Sequence, residues 1–208
     1  MAHVVVVMNP KGGVGKSTLA TNLAGYYANR GKNVMLGDVD RQQTSREWLR
    51  LRPPEAAPIQ SWDVERGKPA KPPKEATHIV LDTPAGISDK LLEQVIKPAS
   101  RVVIPLQASM FDILATRHFL EQMARDKAVN HSEAEIGVVG MRVDSRTRAF
   151  DELQRFLEGL GLPVLGYIRH TQNYVYLAAR GLTLFDVAPG RVQQDLEQWA
   201  PILKWLGE

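Results

Sequence analysis

Residues 4–18 read Val4-Val5-Val6-Val7-Met8-Asn9-Pro10-Lys11-Gly12-Gly13-Val14-Gly15-Lys16-Ser17-Thr18. The opening run is short, apolar and mostly β-branched, the mark of a strand buried on both faces. From Leu19 to Arg30 the apolar residues Leu19, Leu23, Tyr26 and Tyr27 recur at helical spacing. A glycine-rich turn between a strand and a helix, ending in Gly-Lys-Ser, is a phosphate-binding loop. The backbone N–H groups of Gly12, Gly13, Val14 and Gly15 converge on oxyanions, and the helix N-terminus adds partial positive charge. Lys16 is expected to reach the β- and γ-phosphates, Ser17 to bind Mg²⁺ and Thr18 to hydrogen-bond the α-phosphate. The structural alternative, a turn that binds nothing, fits poorly with a strand before the loop and a helix after it.

Composition bounds the rest. A chain of 208 residues, 44% hydrophobic and 24% charged, suits one globular domain spanning 1–208. Lys and Arg number 26 against 23 acids, a net charge of +3 that is too mild to demand a polyanion partner but leaves room for a local basic patch. The absence of cysteine excludes disulfides and Cys-ligated iron–sulfur clusters. With no leader before the first strand and no apolar run approaching ~20 residues, the expectation is a cytoplasmic protein without a membrane span.

Strand and helix patterns alternate along the chain. Asn33–Asp38 reads as a strand that runs into Asp38-Val39-Asp40-Arg41-Gln42-Gln43, and acids just past a strand's carboxyl end lie where open α/β sheets bind ligands. Helix capping is the structural alternative for Asp40. Thr44–Leu51 reads as a helix. Residues 52–74 carry six prolines among Arg66, Lys68, Lys71 and Lys74, so extended surface chain is expected, with 59–62 as a short strand. That stretch is either a plain surface loop or a contact for a partner or second copy. Ile79-Val80-Leu81-Asp82-Thr83-Pro84-Ala85-Gly86 places an acid at a strand end, where Asp82 would hold Mg²⁺ through a coordinated water.

Further on, Arg101–Leu106 reads as a strand with Pro105 at its exit. A helix capped by Ser109 runs through Ala124, with Phe111, Leu114, His118 or Phe119, and Met123 near one face. Glu135–Met141 is a strand followed by Arg142, Arg146 and Arg148, which form either a solvated loop or a patch that touches phosphates. A helix over 150–160, a strand over 162–168 and a helix over 174–180 follow. The last helix, 193–206, places Leu196, Trp199, Leu203 and Leu206 on one face, with Asp195, Glu197, Lys204 and Glu208 among its polar residues. Its net acidity disfavours anionic lipid, so it is expected to dock on the core. The fold expected is α/β: doubly wound, a mostly parallel sheet flanked by helices.

Three motifs carry a family resemblance. Lys11-Gly12-Gly13-Val14-Gly15-Lys16-Ser17-Thr18 has a second lysine, and Pro10 stands where the ordinary loop has glycine. It resembles the deviant Walker A motif of ParA/MinD ATPases, which are P-loop NTPases. Asp38-x-Asp40-x-Gln42 resembles their switch I, although proline is common where Arg41 stands, and Asp82–Gly86 resembles their Walker B and switch II. The resemblance covers essentially the whole chain and is nearest to the small ParA/ParF-type branch. The nitrogenase-reductase relatives carry the cluster that a cysteine-free chain lacks.

The resemblance implies weak, Mg²⁺-dependent, partner-stimulated hydrolysis of ATP to ADP. Lys11 would cross to the nucleotide of a second copy in an ATP-bound homodimer, Asp40 would orient the attacking water, and Asp38 would support the metal shell. It further implies non-specific DNA binding, for which Arg146, Arg148, Arg169 and Arg180 are candidates, and with it nucleoid association. A ParB- or ParG-like or other adaptor would stimulate turnover, and the cycle would position a plasmid, chromosome region or protein cargo. Many relatives carry an adenine-reading Asn near Met141 or Arg142; this chain has none there. A MinD-like membrane-associated regulator and an ATP-dependent metabolic ligase are the other classes that fit the same core.

Overall fold

The computed structural model describes residues 2–40, 42–62 and 73–207. Arg41 and the centre of the proline-rich stretch, including Arg66, Lys68 and Lys71, lie outside them. The elements in chain order are β1 (His3–Val7), α1 (Lys16–Asn29), β2 (Val34–Asp38), α2 (Thr44–Arg50), β3 (Gln60–Trp62), β4 (His78–Asp82), α3 (Asp89–Ile96), β5 (Arg101–Gln107), α4 (Met110–Arg125), α5 (Lys127–Asn130), β6 (Glu135–Val143), α6 (Arg148–Glu158), β7 (Val164–Arg169), α7 (Asn173–Ala178), a 3₁₀ turn (Leu184–Asp186) and α8 (Pro189–Trp205).

The strands form one seven-stranded sheet in the order β3-β2-β4-β1-β5-β6-β7, and every pairing among the described residues is parallel. Parallel strands need both faces covered. β1 shows how the sequence meets that need: Val5 and Val7 enter one core cluster with α1, α8 and the 3₁₀ turn, while Val4, Val6 and Met8 enter the other with α3, α4 and α6. After β1 the chain builds outward on one side through β2, β3 and β4, then crosses to the other through β5, β6 and β7. Strand order reverses around β1, so the loops at its carboxyl end open into a crevice.

Four details differ from the sequence reading. First, β5 runs on through Pro105 to Gln107. Pro105 pairs in register with Val139, and no ladder bond is lost, because its peptide faces the side where β1 has ended. There its carbonyl accepts from Asn9 Nδ2 at 2.8 Å. Second, α4 buries Ile113, Thr116, Phe119 and Met123, whereas Phe111 and Leu114 are 77% and 40% exposed. Third, Ser109 precedes α4 without capping it through its side chain.

Fourth, Asp195 is completely buried. It accepts from Arg169 Nε and Asn173 Nδ2, each at 2.6 Å, and so ties α8 to the end of β7 and the start of α7. The apolar face of α8 is where it was expected: Trp199, Ile202, Leu203 and Leu206 pack into the core against the sheet. No described helix is long and apolar enough to cross a membrane.

A second buried ion pair holds the chain after α2 to the far end of the fold. Arg52 and Asp186, with side chains 5% and 3% exposed, meet at 2.7 Å. Arg52 also donates to the carbonyls of Ala57 and Gly181, and Asp186 accepts from Asn29 and Thr183. Burial opposes the Asp186 charge, but the donors from Arg52, Asn29 and Thr183 outweigh it and hold its pKa below the ordinary value. Asp186→Ala leaves Arg52 buried and unpaired. It is expected to cost about 3–5 kcal/mol in denaturant unfolding, and a loss under about 1 kcal/mol would contradict this reading of the pair.

Candidate functional site

The loop between β1 and α1 is held from below by one buried side chain. Asn9 donates Nδ2 to Pro105 O at 2.8 Å and to Thr116 Oγ1 at 3.0 Å, and its Oδ1 accepts from Lys11 N at 2.8 Å. Gln107, at the end of β5, donates to Gly13 O at 2.8 Å. Gly13 and Gly15 have φ of 76° and 101°, backbone that side-chain-bearing residues rarely adopt. A Cβ on Gly15 would also lie 2.8 Å from the Met141 side chain. The Walker B segment is tied to the same loop: Thr83 Oγ1 donates to Val7 O, and Gly86 N donates to Pro10 O at 3.0 Å.

Lys16 opens α1, is buried, and donates Nζ to Lys11 O at 2.7 Å. Burial lowers its pKa, and the nearby carboxylates of Asp82 and Asp40 pull the other way. Around it lies a cleft of about 510 Å³, lined by residues including Gly12, Gly13, Gly15, Lys16, Ser17, Thr18, Asp40, Gln42 and Arg142. The structure therefore brings together most of the predicted loop residues and Asp40. Val14 is buried and contributes backbone only. Lys11 lies on the loop, half-buried, and is not among the lining residues.

Beneath the cleft the two predicted metal-shell carboxylates end adjacent strands, Asp38 opposite Asp82. They have different surroundings. Asp38 accepts from the backbone N–H of Asp40 through Oδ1, and from Ser45 and Arg46 through Oδ2. It thus anchors the turn into α2, the capping work that the sequence offered to Asp40. Burial raises its pKa against those three donors. The Asp40 carboxylate accepts from Gln42 N at 3.1 Å, its carbonyl accepts from Gln43 N at 3.3 Å, and the residue faces the cleft.

Asp82 accepts from Ser45 Oγ at 2.6 Å through Oδ2, while Oδ1 is buried without a partner among the described residues. Burial is the main cause of its pKa rising to about 6; the nearby Ser17 and Ser45 hydroxyls oppose this. An unsatisfied carboxylate oxygen beside the Ser17 hydroxyl, below a phosphate cradle, fits a hydrated Mg²⁺, which keeps several waters and takes few protein ligands. Ser17 and Asp82 are the residues that would hold it.

Arg142 belongs to the arginine cluster read as either a solvated loop or a phosphate patch, and it lines the cleft. Its φ of 52° puts a non-glycine residue in the left-handed region, at a register shift between β6 and β7. It lines both the cleft and a neighbouring cavity of about 600 Å³, which Arg146, Tyr167, Arg169 and His170 also line. Of the predicted DNA-contacting residues, Arg146 and Arg169 thus share one cavity. Arg146 is exposed and forked onto Asp144 at 2.9 Å. Arg169 is committed to buried Asp195. Arg148 starts α6, and Arg180 stacks on Tyr176 at 3.6 Å from the ring centre, apart from that cavity. Asn9, Gln107 and Ser45 escaped the sequence reading, because their partners lie 37 to 107 residues away.

Residues 5–184 match the family described as CobQ/CobB/MinD/ParA nucleotide binding domain. The chain is 27% identical over 203 residues to the "Maintenance of carboxysome distribution protein A" of Halothiobacillus neapolitanus, covering 93% of this chain and 92% of that one. Among solved structures it is similar to apo McdA of Cyanothece, with a TM-score of 0.76, 15% identity and all of both chains covered. It is likewise similar to a plasmid partition protein of Borrelia burgdorferi bound to AMPPNP, with a TM-score of 0.74, 17% identity and 99% and 100% coverage.

Proposed function

The chain belongs to the CobQ/CobB/MinD/ParA nucleotide-binding family, and on that premise we propose that it is a ParA-type ATPase that positions a cargo through ATP-gated dimerisation. The observation that carries this reading is one open cleft in which the glycine loop, buried Lys16 and Asp40 converge above Asp82. Phosphoryl transfer needs positioning and charge neutralisation around the γ-phosphate. Loop N–H groups and Lys16 bind the phosphates, Ser17 and Asp82 hold the ion, and Asp40 orients the attacking water. A Mg²⁺ ion held there would help neutralise the charge on the phosphates.

One chain leaves the cleft open to solvent, and Lys11 stands on its rim without lining it. In the proposed dimer Lys11 completes the nucleotide site of the other copy. Lys11→Ala is expected to bind ATP within about threefold of wild type and to remain a monomer by light scattering. A Lys11→Ala protein that dimerises with ATP would remove the crossing lysine from the account.

The carboxysome-distribution relatives and the plasmid-partition fold neighbour support a positioning role; the cargo proposed is a protein body or a plasmid, and an adaptor is proposed to stimulate turnover. The matrix proposed is non-specific DNA, contacted through exposed arginines such as Arg146 and Arg148. The test is DNA binding by Asp40→Ala protein with ATP, with ADP and without nucleotide. Binding with ATP alone, falling ~10³-fold or more between low and moderate salt, is expected if about six phosphates are contacted. No binding in any state would discard the DNA matrix.

A further inference from the structure

Ser45 sits in the first turn of α2 and is fully buried. Its backbone N–H donates to Asp38 Oδ2 at 2.8 Å, and its hydroxyl donates to Asp82 Oδ2 at 2.6 Å. One residue on the switch-like helix α2 therefore spans the two carboxylates that end β2 and β4. The outcome for Asp82 is asymmetric: Oδ2 is committed, and Oδ1 stays buried with no partner among the described residues. A buried carboxylate oxygen without a donor carries a desolvation cost of about 1–3 kcal/mol or more, and a group keeps that arrangement when a ligand completes it.

We propose that Ser45 is the positioning residue of the Mg²⁺ site. Its hydroxyl fixes the Asp82 carboxylate so that the free oxygen is presented to the hydrated ion beside Ser17, and it couples α2 to whether the ion is bound. This rests on the nucleotide-binding reading above. Groups that orient metal-shell ligands typically govern 10–100-fold in metal affinity. Without the hydroxyl, Oδ2 loses its 2.6 Å donor, and the nearby Ser17 hydroxyl alone is left to orient the buried carboxylate. The contact reaches Asp82 from the same turn that carries Asp40, so loss or gain of the ion is felt by the residue that faces the γ-phosphate.

The test separates this role from a general loosening of α2. ADP affinity is measured in EDTA for wild type and Ser45→Ala, and Mg²⁺ is then titrated into each ADP-saturated protein by calorimetry. The expected result is an ADP affinity in EDTA unchanged within about twofold and a Mg²⁺ affinity about tenfold weaker. Ser45→Cys, which keeps the size but donates weakly, is expected to fall between. Equal Mg²⁺ affinity in Ser45→Ala and wild type overturns the assignment, as does a parallel loss of ADP and Mg²⁺ affinity, which would mark Ser45 as merely structural. A wild-type protein that binds no ADP in either condition overturns the proposed nucleotide site itself, and this inference with it.

Discussion

Lys16→Ala is expected to lower ATP affinity by at least ~100-fold, read by calorimetry or by a fluorescent nucleotide. Among the described residues Lys16 is the one lysine lining the cleft, and burial has already stripped much of its water. Its ammonium donates to Lys11 O at 2.7 Å, so it is held in place before nucleotide arrives. Charge-assisted hydrogen bonds contribute about 1.5–3 kcal/mol each, and two to phosphate oxygens correspond to ~10²–10⁴-fold in affinity. The substitution also frees Lys11 O, an acceptor near the loop surface, so only a small change in unfolding stability is expected. An alanine variant that binds ATP within tenfold of wild type would mean that the phosphates do not lie where the loop geometry puts them.

Asp40→Ala is expected to leave ATP binding within about threefold and to slow hydrolysis by ~10²–10³-fold, the scale of a lost water-positioning carboxylate. Binding is expected to survive because of how the turn is held. The turn into α2 is built on the carboxylate of Asp38, and the contact that Asp40 supplies to Asp38 comes from its backbone N–H, which alanine retains. Among the described residues, the side-chain bond lost is the one from Gln42 N, at an exposed position. Turnover at the wild-type rate would reassign the water-positioning role, with Gln42 and Thr44 as the remaining polar side chains on that wall of the cleft.

The fold and phosphate loop were legible because their information is local. Alternating strand and helix periods, two glycines at positive φ and a lysine at the helix start sit within one short stretch. What was not legible depends on contacts distant in sequence. Which of Asp38 and Asp40 caps α2 is decided by how the turn folds, and both satisfy the motif equally. Arg169 reads as a free cation until Asp195, 26 residues on, is found beneath it. On α4 the helical period admitted more than one face. The buried one includes Thr116, because its hydroxyl accepts from Asn9, and that leaves Phe111 and Leu114 in solvent. The left-handed Arg142 follows from a register shift between β6 and β7 that no local pattern marks.

ATP is proposed to govern association of two copies. Light scattering on the Asp40→Ala protein with ATP and Mg²⁺, with ADP and Mg²⁺, and without nucleotide reads this directly, since this variant is expected to hold ATP without consuming it. Twice the monomer mass with ATP alone is expected, and monomer with ADP or no nucleotide. A monomer in the presence of saturating ATP, or a dimer in all three conditions, would contradict it.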